Sequence, residues 1–97
     1  MREIQRINAF KMDQPEKEKI KEKFTSYLID RMEIIFAYLY GSFVDQELFR
    51  DIDLALYLNG IEKERTMDYL LEVSLDIEKV VGLPVDVRIL NNAPADY

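Results

Sequence analysis

From residue 20 onward, apolar residues recur every three or four positions, the spacing of one face of an α-helix. Asp13 is a residue type that caps helices and Pro15 suits a first helical turn, so we expect the helix to span residues 15–31. Its buried stripe is predicted to comprise Ile20, Phe24, Tyr27, Leu28 and Met32 and to extend to Ile35. Its solvated face is predicted to carry Lys17, Lys19, Lys21, Glu22 and Lys23.

Three shorter apolar segments predict β-strands. Residues 34–40 are apolar or aromatic throughout and stop at Gly41, which favours a buried strand. Residues 51–58 and 85–90 alternate between polar and apolar side chains, the pattern of strands with one buried face. A second helix is predicted over residues 62–81, ended by Gly82 and Pro84, with a stripe of Met67, Leu70, Leu71, Ser74, Ile77, Val80 and Val81.

The order of elements is therefore helix, strand, strand, helix, strand, with a further strand expected among residues 4–12. Because each helix has one apolar stripe, we expect an α+β, two-layer fold in which both helices pack on one face of a small mixed sheet. Residues 1–97 are predicted to form one domain, with an N-terminal arm over 1–13 and a tail over 91–97. The aromatic residues Phe36, Tyr38 and Tyr40 are predicted to pack in the core rather than to stack on bases.

The amino-acid composition limits the kinds of functional site that the protein can form. The 97 residues are 48% hydrophobic and 33% charged, which is typical of a globular domain. The net charge of −6 opposes binding to duplex DNA, and the N-terminus has no apolar run long enough for a signal peptide or a membrane span, so we expect a cytoplasmic protein without a membrane partner. Histidine and cysteine are absent, which excludes Ser-His-Asp and Cys-His catalysis and ordinary zinc sites and leaves oxygen-ligated ions such as Mg²⁺ or Mn²⁺.

Three aspartates are candidates for such an ion site. The strand period of two places Asp51 and Asp53 on one face, opposite the apolar residues of the same strand. Asp86 lies between Val85 and Val87, where a third ligand or a general base would stand. The alternative is that all three are solvated residues on half-exposed strands.

The Gly41-Ser42 pair ends the first long strand. A glycine there allows a close approach to the backbone, and the serine hydroxyl can bind phosphate oxygens. The alternative is an ordinary turn that ends a strand.

Taken together, these segments resemble the minimal nucleotidyltransferases of the DNA polymerase β-like superfamily. The matching residues are Tyr38-Leu39-Tyr40-Gly41-Ser42, eight spacer residues, residues 51–56 and residues 85–87, within a resemblance that covers about residues 20–92. The resemblance implies that Gly41 and Ser42 hold the triphosphate of a nucleotide. It implies that Asp51 and Asp53 bind Mg²⁺ or Mn²⁺, and that Asp86 completes the metal site and activates the acceptor hydroxyl.

The sequence departs from the family in its spacer. The family commonly has about ten residues there, often opening with Ala-Arg-Gly, whereas this chain has eight, which contain Val44-Asp45-Gln46. Arg50 and Arg88 are candidates to supply the missing positive charge to the nucleotide, and the alternative for both is a surface ion pair.

Two functions are compatible with these residues. The first, implied by the resemblance, is transfer of an NMP, AMP from ATP, to a protein hydroxyl, with a HEPN-domain ribonuclease toxin as the acceptor and this chain as its antitoxin. The second is a degenerate module that binds nucleotide or masks a partner by contact without chemistry. A homodimer is compatible with both functions, and so is a C-terminal extension beyond Asn91-Asn92-Ala93-Pro94.

Overall fold

The computed structural model describes residues 9–91. In chain order its elements are β1 (Phe10–Lys11), α1 (Gln14–Leu28), β2 (Ile34–Tyr40), α2 (Ser42–Asp45), β3 (Leu48–Phe49), β4 (Ile52–Leu58), a 3₁₀ turn (Lys63–Arg65), α3 (Thr66–Val81) and β5 (Val85–Ile89). The strand expected among residues 4–12 is present at β1, while positions 4–8 and the predicted tail from 92 onward lie outside the described residues. No helix within residues 9–91 is long and apolar enough to cross a membrane.

Strand β4 is the centre of a three-stranded mixed sheet, with β2 antiparallel on one side and β5 parallel on the other. Strands β1 and β3 pair separately. The even-numbered residues of β4, from Ile52 to Leu58, are buried against α1 and α3 because period two places them on one face. The predicted α+β architecture with both helices on one face of a small mixed sheet is therefore confirmed.

Helix α1 begins as predicted but ends earlier. Asp13 and Glu16 form a reciprocal capping box, each side chain accepting from the other's backbone N–H at 3.0 Å. The helix ends at Leu28 rather than at residue 31. The Arg31 amide donates to the Leu28 carbonyl oxygen, and the Ile34 amide donates to the Arg31 carbonyl oxygen. These two turns reverse the chain into β2. The predicted inclusion of Met32 and Ile35 in the buried stripe is wrong, since they are 93% and 55% exposed.

The buried face of α3 is shifted from the one predicted. Tyr69, Val73, Ile77 and Val81 recur every four residues and enter the core. Of the predicted members, Ile77 and Val81 are buried, whereas Met67, Leu71 and Val80 are exposed. The helix carries two neighbouring apolar series, and the one that packs is decided by the sheet that the helix meets, which periodicity alone does not reveal.

The prediction that β2 is buried is also wrong. It is an edge strand of the three-stranded sheet, and no described element covers the face opposite the helices. Phe36 and Tyr38, predicted to pack in the core, are 49% and 45% exposed there. Phe36 stacks on Tyr57 of β4 with ring centroids 5.3 Å apart and the planes 4° from parallel. The uncovered face is therefore partly aromatic.

Candidate functional site

Strand pairing brings the predicted site residues to one end of the sheet. Asp53 on β4 is in register with Tyr40 at the end of β2 and with Asp86 near the start of β5. Asp51 precedes β4 directly. Because β2 runs antiparallel and β5 parallel to β4, the end of β2 and the starts of β4 and β5 meet at the same edge.

The three carboxylates influence one another through their charges. The pKa of Asp53 is raised above its ordinary value, first by burial and then by the Asp51 and Asp86 carboxylates, while the positive charge of Arg88 opposes the shift. The negative charges around Asp53 therefore favour either protonation of its carboxylate or a cation bound beside it.

Gly41 packs directly against this carboxylate. Its φ of +82° and ψ of −160° lie in a region that a residue with a side chain rarely adopts. A Cβ added to Gly41 would overlap the Asp53 Oδ2 atom. The close approach predicted at this glycine is therefore present, and the group that approaches is the Asp53 side chain.

A cleft of about 480 Å³ lies beside the Asp51 carboxylate. Ser42, Arg50 and Asp51 all line it. A hydroxyl donor, a guanidinium and a carboxylate around one cavity provide groups for phosphate oxygens and for a cation. The remaining lining residues are Ala9, Gln46, Leu48 and Phe49.

Arg88 and Asp86 lie on a different side of the site. Arg88 is in register with Ala55 of β4, two positions from Asp86 on the same strand face. It lines a second groove of about 380 Å³ between β5 and the start of α3, together with Lys63 and Thr66. The positive charge of Arg88 therefore acts on the Asp53 carboxylate. It is Arg50, not Arg88, that lines the same cleft as Ser42.

The donor set fits a hard divalent cation. Over residues 9–91 no group of three or more His, Cys, Asp or Glu side chains is arranged to hold a metal ion by itself. Mg²⁺ usually binds one or two carboxylates and completes its coordination with water and substrate phosphates, so a preformed cage is not needed. The roles of Asp51, Asp53 and Asp86 as metal ligands stay predictions.

A comparison with family models covers most of the chain. A model described as Polymerase beta, Nucleotidyltransferase matches residues 18–97, which include Gly41-Ser42 and all three aspartates. The chain belongs to this family. As a polymerase β nucleotidyltransferase, it is assigned the general activity of nucleotidyl transfer, in agreement with the resemblance in its sequence. Comparisons with curated proteins and with solved structures give no significant match.

Sequence reasoning also misplaced a residue next to the cleft of this polymerase β nucleotidyltransferase. Lys17 was predicted on the solvated face of α1, but it is 3% exposed and its ammonium donates to the Gln46 carbonyl oxygen beside the cleft. The signal that could have found it is spacing, because Lys17, Ile20 and Phe24 recur at intervals of three and four and so share the buried stripe.

Proposed function

We propose that this polymerase β nucleotidyltransferase transfers an NMP, AMP from ATP, to a hydroxyl of a protein in the cytoplasm, with Mg²⁺ or Mn²⁺ as cofactor. The observation that carries the proposal is the position of Asp53. Its carboxylate is half-buried against Gly41 and is influenced by the charges of Asp51 and Asp86. Asp51 in turn lines the same cleft as Ser42 and Arg50. Such a concentration of negative charge beside phosphate-binding groups is suited to a metal-bound nucleotide.

Each residue has a role in this reaction. The Ser42 hydroxyl and the Arg50 guanidinium bind phosphate oxygens, while Asp51 and Asp53 hold the divalent ion, which stabilises charge on the reacting phosphates. Arg88 contributes positive charge to the nucleotide from the β5 side. Asp86 accepts the proton of the acceptor hydroxyl as its oxygen bonds to the α-phosphorus, and the bond from that phosphorus to pyrophosphate breaks.

The acceptor is proposed to be a protein rather than a nucleic acid. The net charge of −6 opposes a polyanionic substrate. The uncovered sheet face that bears Asp53 and Asp86 also carries the exposed rings of Phe36, Tyr38 and Tyr57, and aromatic side chains are enriched in protein interfaces. The resemblance to minimal nucleotidyltransferases suggests a tyrosine of a HEPN-domain ribonuclease toxin, which would make this chain its antitoxin.

A second candidate function is neutralisation of the same partner by contact, without chemistry. It is favoured by the eight-residue spacer, which lacks Ala-Arg-Gly. The two candidates differ in what the aspartates do, so they can be separated by removing the three charges.

The test begins with calorimetric titration of ATP into the purified protein, with and without Mg²⁺. We expect Mg²⁺-dependent binding to the wild type and its loss in Asp51→Asn/Asp53→Asn. The control Asp30→Asn/Asp68→Asn removes the same charge from exposed positions and should bind normally. Normal binding to the site variant would contradict the metal roles.

Transfer is then followed with labelled ATP and a HEPN-type partner. An enzyme loses both labelling and neutralisation when Asp51, Asp53 and Asp86 all become asparagine. A contact inhibitor keeps neutralisation in the same variant, and that result would replace the first candidate by the second.

A further inference from the structure

Lys17 is a charged residue in the interior of the protein. Its side chain lies in the stripe of α1 that also carries Ile20 and Phe24, and only 3% of the residue is exposed. Withdrawing an ammonium group from water is costly unless other groups replace its hydration. The contacts that replace it therefore indicate what this lysine holds in place.

Three of these contacts belong to the connection between β2 and β4. The Lys17 ammonium donates a hydrogen bond to the Gln46 carbonyl oxygen. It also lies 5.5 Å from the centroid of the Phe43 ring and 6.0 Å from that of Phe49, within the range of cation–π attraction. Phe43 and Phe49 are themselves buried and meet edge to face at 5.0 Å. One ammonium thus contacts both ends of the connection.

The connection has little stability of its own. Helix α2 contains four residues, far fewer than an isolated helix needs in water. It begins at Ser42 and is closed by the Gln46 amide, which donates to the Ser42 carbonyl oxygen at 2.8 Å. The Lys17 bond to the Gln46 carbonyl therefore fixes the residue that closes the turn containing Ser42.

The other end of the connection leads into the carboxylates. Phe49 is the last residue of β3, and Arg50 and Asp51 follow it directly. Ser42, Gln46, Phe49, Arg50 and Asp51 all line the same cleft. Lys17 thus contacts the serine turn through Phe43 and Gln46, and the segment that leads to Arg50-Asp51 through Phe49.

We propose that Lys17 is a positioning residue of the nucleotide site, one that holds Ser42 and Arg50-Asp51 at the separation that a metal-bound triphosphate requires. This inference rests on the proposed function. Lys17 acts through residues 43–49 and does not itself contact the nucleotide. It supports the eight-residue spacer from within the core.

The test compares Lys17→Met with the matched variant Lys19→Met on the exposed side of the same helix. Methionine fills similar space and makes favourable contacts with aromatic rings, so Lys17→Met should fold. We expect its calorimetric affinity for Mg²⁺-ATP to fall at least tenfold and amide hydrogen exchange over residues 42–50 to accelerate. Lys17→Arg, which keeps the charge and the donor, should recover most of the affinity, while Lys19→Met should match the wild type.

Wild-type affinity in Lys17→Met together with unchanged exchange over residues 42–50 would overturn the inference. If that variant does not fold, Lys17→Gln replaces it, because its shorter, uncharged side chain should show the same two changes, and a folded Lys17→Gln with normal affinity and exchange refutes the role. If the wild type itself binds no nucleotide, the proposed function fails. The exchange measurement then decides separately whether Lys17 orders the connection.

Discussion

A Gly41→Ala substitution adds one methyl group where the turn after β2 meets Asp53. Two costs are expected. The first is backbone strain, because φ is +82° and ψ is −160°, a region essentially restricted to glycine in which a residue with a Cβ pays about 1–3 kcal/mol. The second is steric, because the new Cβ would overlap the Asp53 carboxylate and force it to move.

Gly60 provides a comparison at positive φ without the steric cost. Its φ is +86°, nearly that of Gly41, but a Cβ added there meets nothing within 4 Å. Gly60→Ala should therefore lose about 1 kcal/mol of stability, since the gain from a stiffer unfolded chain offsets part of the strain. Gly41→Ala should lose about 2 kcal/mol more, within the usual cost of forcing atoms into filled space.

Urea unfolding measures this difference. At an m-value of about 1.5 kcal/mol/M, an additional 2 kcal/mol lowers the unfolding midpoint by about 1.3 M relative to Gly60→Ala. The double variant Gly41→Ala/Asp53→Ala should recover most of the extra loss because the overlapping carboxylate is gone. Equal midpoints for the two alanine variants, or no recovery in the double variant, would refute the contact between Gly41 and Asp53.

Two further predictions concern charge. Because burial and two neighbouring carboxylates raise the pKa of Asp53 above 3.8, the folded state holds this proton more tightly than the unfolded state. The contribution of Asp53 to the free energy of unfolding should decline as the pH rises from about 4 through the raised pKa. In thermal melts over this range the wild type should therefore lose stability relative to Asp53→Asn, and equal slopes would contradict this. Arg31 contacts Glu72 and Asp76 at 3.3 Å and lies 4.5 Å from the Tyr27 ring, so Arg31→Met should lose about 1–2 kcal/mol in urea unfolding without weakening Mg²⁺-ATP binding. Arg65→Met, at an exposed position, is its control, and an equal loss there would argue against the Arg31 contacts.

The central strand could be predicted in detail because its environment is simple. One face of β4 meets two helices and the other meets none, so alternation alone placed Asp53 opposite Ile52 and Leu54. The end of α1 could not be predicted as well, nor could the start of α3, which begins at Thr66 rather than at residue 62. No glycine or proline follows Leu28, and the end of α1 depends on a turn before β2 that local sequence does not specify.

Two other failures have a common origin. Apolar content predicted that β2 was buried, but content does not distinguish a central strand from an edge strand with one uncovered face. Lys17 was assigned to the solvated face because lysines are usually exposed, although its spacing from Ile20 indicated the buried face. Both depend on what each element packs against, which is a property of the tertiary structure. The segments that carry the site could be named from the sequence, whereas the groups that hold them in place could not.

The two ends of β4 differ in how well they should tolerate an attached group. Asp53 lies near its start, and the Asn59-Gly60 turn follows its end, about 20 Å away at the usual rise per strand residue. At that far end the Asn91 side chain bonds the Leu58 amide and carbonyl at 2.8 and 2.7 Å and closes the strand without involving the cleft. A fluorophore or an immobilisation tag introduced at residues 59–60 would therefore leave Ser42, Arg50 and the carboxylates accessible. Nucleotide and partner binding could then be followed on a surface-attached protein with its site facing solution.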